Sequence, residues 1–234
     1  MKKMKNNIIL WVCCIILISL TGCQRQIPKK EMQVLENKRI GILSEVRNTI
    51  LIREYNGFHL IERHKSIADW NVNQNLEKFI FDKLKTENKY KSINILKRSE
   101  DIILHEDGFG KGVPTLFDIA KKEKLDYLIY IRNFWENKRY PGGLTFYKYN
   151  NIMDDKATEY LYLNLYLSIS KVGDKKLNSL YFIELDKTQY LYKEYIAEKE
   201  SLFMKKDINT FHPFINDTLH KIIQKHLLNA GLIN

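Results

Sequence analysis

The feature that most constrains the fold is an unbroken alternation of side chains in residues 160–170. Its apolar members are Leu161, Leu163, Leu165, Leu167 and Ile169, and between them lie Tyr160, Tyr162, Asn164, Tyr166, Ser168 and Ser170. Because successive side chains of a strand point to opposite sides, this pattern predicts a β-strand with an apolar leucine face and a wetter tyrosine face. The tyrosine face suits either partner recognition, or cover by the terminal helix or by edge packing.

The surrounding sequence predicts a single-domain α/β sandwich over residues 38–234, with a mixed, partly antiparallel sheet and about three helices. Strands are predicted at 39–46, 49–55, 58–65, 92–97, 125–131 and 160–170, with one or two more in 179–193, and helices at 73–88, 116–124 and 211–230. Asn56-Gly57 indicates a hairpin between the second and third strands. Leu76, Phe79, Ile80 and Leu84 share one helical face and are predicted to be buried. Thr115 is predicted to cap the second helix.

The first 23 residues have the organisation of an export signal. Lys2, Lys3 and Lys5 precede a mostly apolar run from Ile8 to Leu20, and Leu20-Thr21-Gly22-Cys23 follows. A charged start, a short apolar core and a small-residue exit are typical of a secretory signal peptide. The tetrapeptide resembles the lipobox of bacterial lipoproteins, which implies that residues 1–22 are removed and that Cys23 is acylated. The alternative is an uncleaved anchor helix.

The lipobox resemblance implies a place for the mature chain in the cell envelope. Residues 23–37 are predicted to be an acylated tether, and the lipid on Cys23 is predicted to hold the chain at a membrane. Gln24 stands where an Asp would favour the inner membrane of a two-membrane bacterium. The resemblance therefore implies the outer membrane, facing the periplasm, or the outer face of the membrane in a one-membrane organism.

Composition narrows the possible chemistry and partners. Cys13 and Cys14 lie in the signal peptide and Cys23 carries the lipid, so no cysteine remains for a disulfide or a thiolate metal site. Removing residues 1–22 takes away three lysines and no acid, which leaves 35 basic and 28 acidic residues, a net charge of +7. The basic residues are spread along the chain and mixed with acids. We therefore predict no cofactor, no metal and no nucleic-acid partner.

One segment resembles a known group of envelope proteins. Residues 116–129, with Ala120-Lys121 on a helix and Asp126-Tyr127 opening an apolar strand, look like a unit of small envelope lipoproteins. Those have a fold similar to the amino-terminal domain of the Tol–Pal translocation protein and to the curli-export lipoprotein. The resemblance implies an accessory or assembly role without catalysis, with an envelope protein as the partner.

Motifs that carry chemistry are weak in this sequence. The glycine-rich stretch 106–114 precedes a helix but lacks the spacing and the Lys-Ser/Thr end of a P-loop. His59 and His64 are predicted on opposite faces of one strand, and His220 and His226 on different sides of one helix. Two alternatives to a scaffold stay open. One is an envelope hydrolase using carboxylates such as Glu54 or Asp126, and the other is a binder of cell-wall polymer or lipopolysaccharide through a basic face.

The most distinctive candidate site is an irregular aromatic insertion near residues 137–156. It contains Tyr140, Phe146, Tyr147 and Tyr149, and it opens on Pro141-Gly142-Gly143. Exposed aromatic side chains favour a contact surface, so we predict that these four residues bind a partner, with Arg139 and Lys148 as additional donors. The alternative is that the aromatic side chains fold back onto the core of the domain.

Overall fold

The computed structural model describes residues 35–56, 59–97, 113–133, 142–150, 156–185, 190–196 and 208–234. Its strands are β1 (Arg39–Glu45), β2 (Thr49–Asn56), β3 (His59–Ser66), β4 (Ser92–Ile95), β5 (Tyr127–Asn133), β6 (Gly143–Asn150), β7 (Lys156–Val172), β8 (Leu177–Leu185) and β9 (Tyr190–Ile196). Its α-helices are α1 (Val72–Thr86), α2 (Val113–Lys122) and α3 (His212–Asn229), and short 3₁₀ turns at Ala68–Trp70 and Ile208–Phe211 precede α1 and α3. The predicted α/β class with a mixed sheet is confirmed.

Consecutive strands lie end to end along this sheet. Asn133, which ends β5, pairs with Leu165, and Gly143, which begins β6, pairs with the adjacent residue Asn164. If β5 and β6 lay on opposite edges of β7, their neighbours β1 and β2 would be four strand spacings apart, about 19 Å. The connection 46–48 between β1 and β2 can span only about 14 Å. β5 and β6 therefore share one edge of β7.

The sheet is accordingly long and five strands wide. Across it lie β4 or β3 at one edge, then the β1–β2 line, the β5–β6 line, β7, and finally β8 and β9, which both pair with β7. β1, β4 and β5 run parallel, and β7 is antiparallel to the strands on both of its sides. β5 is thus a central strand. From the end of β5 at Asn133 to the start of β6 at Gly143, the pairing advances by one position along β7.

The main core lies on the leucine face of the sheet. All five apolar residues of the β7 alternation are buried there beneath α1 and α3. Leu76, Ile80 and Leu84 of α1 are buried as predicted, whereas Phe79 is only partly buried and stacks on His220 of α3 at 4.1 Å between ring centres. The terminal helix α3 also buries an apolar face in this core. Its members are Ile215, Leu219, Ile222 and Ile223. Gly231, with φ of 61°, ends α3 in the left-handed conformation.

Side chains of α1 complete the edge of β1 where β4 stops. The Ser44 N–H donates to Glu77 Oε1 at 2.8 Å, and the Val46 N–H donates to Asn73 Oδ1 at 2.6 Å. The Asn73 amide returns a hydrogen bond from Nδ2 to the Val46 carbonyl at 2.9 Å. Asn73 thus makes the hydrogen bonds to Val46 that the backbone of a neighbouring strand would make. These bonds fix the position of α1 on the sheet.

A second, smaller core lies on the tyrosine face. Leu116 and Ala120 of α2 pack there over Leu43, Leu128 and Tyr130. The prediction that Thr115 caps this helix is wrong, because α2 already begins at Val113. None of the helices within the described residues is long and apolar enough to cross a membrane.

The structure also corrects the expected start of the domain. Leu35 is buried in the main core, and the Asn37 N–H donates to the Lys89 carbonyl at 2.7 Å. The domain therefore includes residues 35–37, which were predicted to belong to the tether. The signal peptide 1–22, Cys23 and the rest of the tether lie outside the described residues, as do most of the glycine-rich stretch and Tyr140.

Candidate functional site

Part of the predicted aromatic insertion is a strand, while residues 137–141 and 151–155 lie outside the described residues. Gly143–Asn150 forms β6, which pairs with β2 on one side and with β7 on the other, so the prediction of an irregular segment is wrong for these residues. Gly143, with φ of 104°, starts the strand in a conformation that favours glycine. Because successive side chains of β6 point to opposite faces of the sheet, its aromatic residues are divided between those two faces.

Phe146 points to the leucine face and is fully buried. Its ring lies 5.5 Å from that of Phe211, just before α3. The prediction that Phe146 contacts a partner is corrected, because its side chain belongs to the main core in this fold. The alternative, that the aromatic side chains cap the domain's own core, holds for Phe146 alone among the β6 aromatics.

Tyr147 and Tyr149 point to the tyrosine face, where they meet Tyr55 of β2 and Tyr162 of β7. The Tyr55 ring is nearly parallel to Tyr147 at 6.3 Å and lies 6.1 Å from Tyr149. Tyr162 approaches Tyr147 edge-on at 5.8 Å. We call these four residues the tyrosine cluster. Tyr149 is 57% exposed, whereas Tyr162 is buried, so the cluster runs from the interior to the solvent.

A buried cation, the guanidinium of Arg53, lies beside the tyrosine cluster. The Arg53 guanidinium is 6.0 Å from the centre of the Tyr147 ring and pairs with Glu62 of β3 at 2.5 Å. Burial raises the pKa of Tyr147 to about 12, even though the charge of Arg53 acts in the opposite direction. The Tyr147 phenol therefore stays neutral at physiological pH. Tyr149, the exposed member, offers a partner both apolar ring area and a phenol that can hydrogen-bond, a combination common in protein interfaces.

Elsewhere on the tyrosine face, α2 packs over Leu43, Leu128 and Tyr130. Tyr166 is buried with the Arg132 guanidinium 5.7 Å from its ring. Terminal helix α3 packs on the opposite, leucine face. The suggestion that the terminal helix covers the tyrosines is therefore wrong, and the prediction of a wetter face fails where Tyr162, Asn164 and Tyr166 are buried.

Lys148 and Glu54 form a buried ion pair at the far end of the leucine face. Lys148 is 1% exposed, and its Nζ lies 3.1 Å from Glu54 Oε1. The two residues are in register on β6 and β2, and Glu159 of β7 is in register with Lys148 on its other side. Lys148 is thus a charge within the fold, and the prediction that it is a surface donor is corrected.

Asp126, the second candidate carboxylate, connects two strands. It accepts hydrogen bonds from the Arg39 backbone N–H at 2.8 Å and from Arg39 Nε at 3.3 Å. Partial burial tends to raise the pKa of Asp126, but the Arg39 backbone and side chain together hold it below its usual value. Asp126 and Glu54 lie near opposite ends of the sheet, and each is engaged in an ion pair.

The histidines are placed as their spacing predicts. His59 and His64 occupy positions of opposite parity in β3. His220 stacks on Phe79, while His226 faces the hydroxyl of Tyr181, so the two α3 histidines project in different directions. Among the described residues, no three His, Cys, Asp or Glu side chains are grouped so that they could hold a metal ion.

Sequence reasoning missed Tyr55 and Arg53 as members of the site. Tyr55 was placed in a strand next to the Asn56-Gly57 hairpin, but no local pattern indicates that β2 pairs with β6. The parallel pairing sets Tyr55 opposite Tyr149 and Arg53 opposite Tyr147. Only this long-range register brings the two segments together.

Comparisons with known proteins add little to this picture. No protein-family model and no curated protein matches the chain. A crystal structure of a neuraminyllactose-binding hemagglutinin homolog from Helicobacter pylori is similar over 82% of this chain and 86% of its own, with 13% sequence identity and a TM-score of 0.34. A TM-score this low does not establish a shared fold.

Proposed function

We propose that this chain is a lipid-anchored, non-catalytic protein of the bacterial envelope that acts as an accessory or scaffold in an envelope assembly. Lipid attachment at Cys23 is supported by the basic start, the apolar run and Leu20-Thr21-Gly22-Cys23. Gln24 supports the outer membrane, with the domain facing the periplasm, as the location in a two-membrane organism.

The observation that carries the assembly role is the exposure of Tyr149 within the tyrosine cluster. A tyrosine that is 57% exposed and adjacent to Tyr55 presents a rigid aromatic surface at low conformational cost. Leu60, in register with Tyr55 on the neighbouring strand, is 46% exposed and extends this surface to the edge of the sheet. Interfaces are enriched in aromatic side chains such as tyrosine relative to the rest of a protein surface.

The carboxylates support a scaffold more than a hydrolase. Hydrolysis by paired acids requires two carboxyl groups that converge on one substrate. Glu54 is held by Lys148 near one end of the sheet and Asp126 by Arg39 near the other. Each acid therefore has a structural role in joining strands.

Site-specific photocrosslinking in intact cells tests the assembly role. With a photoreactive amino acid at Tyr149, we expect crosslinks to one envelope protein; at Asn178, an exposed position on β8, we expect none to that protein. Identical adducts at both positions, or none at Tyr149, would contradict the role assigned to the tyrosine cluster.

Lipid attachment is tested separately. Cys23→Ala should abolish incorporation of labelled palmitate and leave an unprocessed precursor, because no other cysteine follows the apolar run. Labelling that persists in this variant would show that Cys23 is not the acylated residue.

A further inference from the structure

Strand β3 has an outer edge to which no other described strand is paired. In the described part of the chain it pairs only with β2, along its whole length from His59 to Ser66. All of its residues except Lys65 are exposed. Leu60 and Ile61 are 46% and 39% exposed, on opposite faces near the hairpin end. An exposed edge of this length is a template for another strand.

The register shows which backbone groups face outward. The Ile67 N–H donates to the Asn48 carbonyl at 2.8 Å, which marks these two residues as a hydrogen-bonded pair. Hydrogen-bonded and non-hydrogen-bonded pairs alternate along antiparallel strands. Continuing the observed register, residues 61, 63 and 65 direct their N–H and C=O groups toward β2. Residues 60, 62 and 64 therefore direct theirs to the open edge.

Charge distinguishes the two faces of this edge. Arg63 and Lys65 lie on the leucine face, opposite Ile52 and Ile50 of β2, and neither has a carboxylate partner among the described residues. On the tyrosine face, the acid Glu62 is already paired with Arg53. Within the described part of the chain, an added strand would thus meet two cations that have no carboxylate partner on one face, and no unpaired acid on the other.

We propose that the outer edge of β3 takes up an extended, acidic segment of a partner protein as an additional strand. The backbone of this segment would accept hydrogen bonds from, and donate them to, residues 60, 62 and 64. Its acidic side chains would lie beside Arg63 and Lys65. This inference rests on the proposed assembly role and defines the chemistry of the partner. A second copy of this chain fits less well, because symmetric pairing of β3 would bring the same cations together.

Charged residues also serve to keep sheet edges free of partners. That role does not account for Leu60 and Ile61, whose exposure makes the edge more adhesive. The two roles make opposite predictions for an acidic peptide, since a protective edge excludes it and a docking edge binds it.

The experiment uses the full-length protein in detergent and a labelled, end-capped octapeptide in which glutamate alternates with valine. We expect binding by fluorescence anisotropy and slower amide hydrogen exchange at Leu60, Glu62 and His64. The same peptide with lysine in place of glutamate should not bind. Absence of binding by the glutamate peptide, or protection elsewhere on the chain, would overturn the proposal.

Variants separate a strand-addition site from general attraction to a basic protein. Arg63→Glu with Lys65→Glu should weaken peptide binding at least ~10-fold. The matched pair Lys175→Glu with Lys176→Glu, exposed in the β7–β8 turn, makes the same change in net charge and should leave binding unchanged. If both double variants weakened peptide binding equally, net charge alone would explain the effect, and the proposal would be overturned.

His64→Pro tests the backbone contribution. It removes an outward N–H and none of the β2–β3 hydrogen bonds. The melting temperature should therefore change little, while binding of the glutamate peptide should be lost. Full binding of the peptide by a folded His64→Pro variant would overturn the proposal. So would the finding that the parent chain forms concentration-dependent dimers and that His64→Pro abolishes them, because β3 would then pair with a second copy of the chain. Binding of the peptide does not depend on acylation of Cys23, so failure here and failure of the lipid anchor are distinguishable.

Discussion

Where β1 runs beyond the end of β4, side chains of α1 take the place of a neighbouring strand. Asn73 bonds to both the N–H and the carbonyl of Val46, and its Oδ1 also accepts a hydrogen bond from the Ser44 hydroxyl at 2.9 Å. The three residues that supply these groups are all buried. A buried polar group without a partner costs about 1–3 kcal/mol.

Replacing Asn73 with Ala should therefore lower the free energy of unfolding by about 3 kcal/mol, since both Val46 groups lose their partner. Chemical denaturation of the variant and the parent measures this difference. Gln74, adjacent in α1 but exposed, provides the control, and Gln74→Ala should stay within about 0.5 kcal/mol. Similar costs at the two positions would refute the role of Asn73.

His220 connects α1 and α3 by stacking on Phe79. Burial lowers the pKa of His220, and Lys83 acts in the same direction, while Asp217 opposes them. The folded state therefore favours the neutral ring. The associated stability is complete above the ordinary histidine pKa, about 6.5, and is lost progressively as the pH falls below it.

We expect the free energy of unfolding to decrease between pH 7.5 and pH 5.5, and His220→Gln to reduce that decrease. Urea denaturation of both proteins at the two pH values gives the comparison. The same pH dependence in His220→Gln would mean that other groups produce it.

Strand β6 combines two functions by alternation. On the leucine face it contributes Leu144, Phe146 and the buried Lys148, and on the tyrosine face it contributes Tyr147 and Tyr149. Adjacent residues of one element thus have different energetic roles. Phe146 fills the core, whereas Tyr149 is available for contacts with another molecule.

This division predicts different costs for two substitutions in β6. Phe146→Ala should destabilise the domain by about 3–5 kcal/mol, because it leaves a cavity beside Phe211. Tyr149→Ala, at an exposed position, should cost no more than about 1 kcal/mol. Thermal and chemical unfolding measure both, and a cost at Tyr149 as large as that at Phe146 would contradict the assignment of the two faces.

Over the whole molecule, the end-to-end arrangement of strands separates the start of the domain from the tyrosine cluster. Arg39 begins β1 and Tyr55 lies near the end of β2, so the β1–β2 line extends over roughly 50 Å. α2 covers the tyrosine face near Leu43 and Tyr130, at the end where the chain enters the domain. The tyrosine cluster and the open edge of β3 lie toward the other end, remote from the point at which the proposed lipid tether would join.

The sequence by itself determined the elements whose side-chain period is local and uninterrupted. The alternation in 160–170 predicted the middle of β7, and the spacing of Leu76, Ile80 and Leu84 predicted the buried side of α1. In both cases apolar residues recur at the period of the element, so the pattern identifies the apolar side chains of the core. It does not reveal the buried polar side chains of α1, Asn73 and Glu77. The hairpin of β2 and β3 was predicted from an equally local signal, Asn56-Gly57, although Asn56 itself belongs to β2 and pairs with His59.

Only the tertiary structure decided the nature of residues 143–150. Lys148 lies on the otherwise apolar face of β6, so the sequence of this strand lacks a regular apolar alternation. The charge of Lys148 can be buried because Glu54 of β2 pairs with it. The tyrosine cluster likewise depends on the parallel register of β2 with β6, which places Tyr55 against Tyr147 and Tyr149. Contacts between segments distant in sequence leave no local pattern, because each partner has its own period and the register is set by packing of the whole sheet.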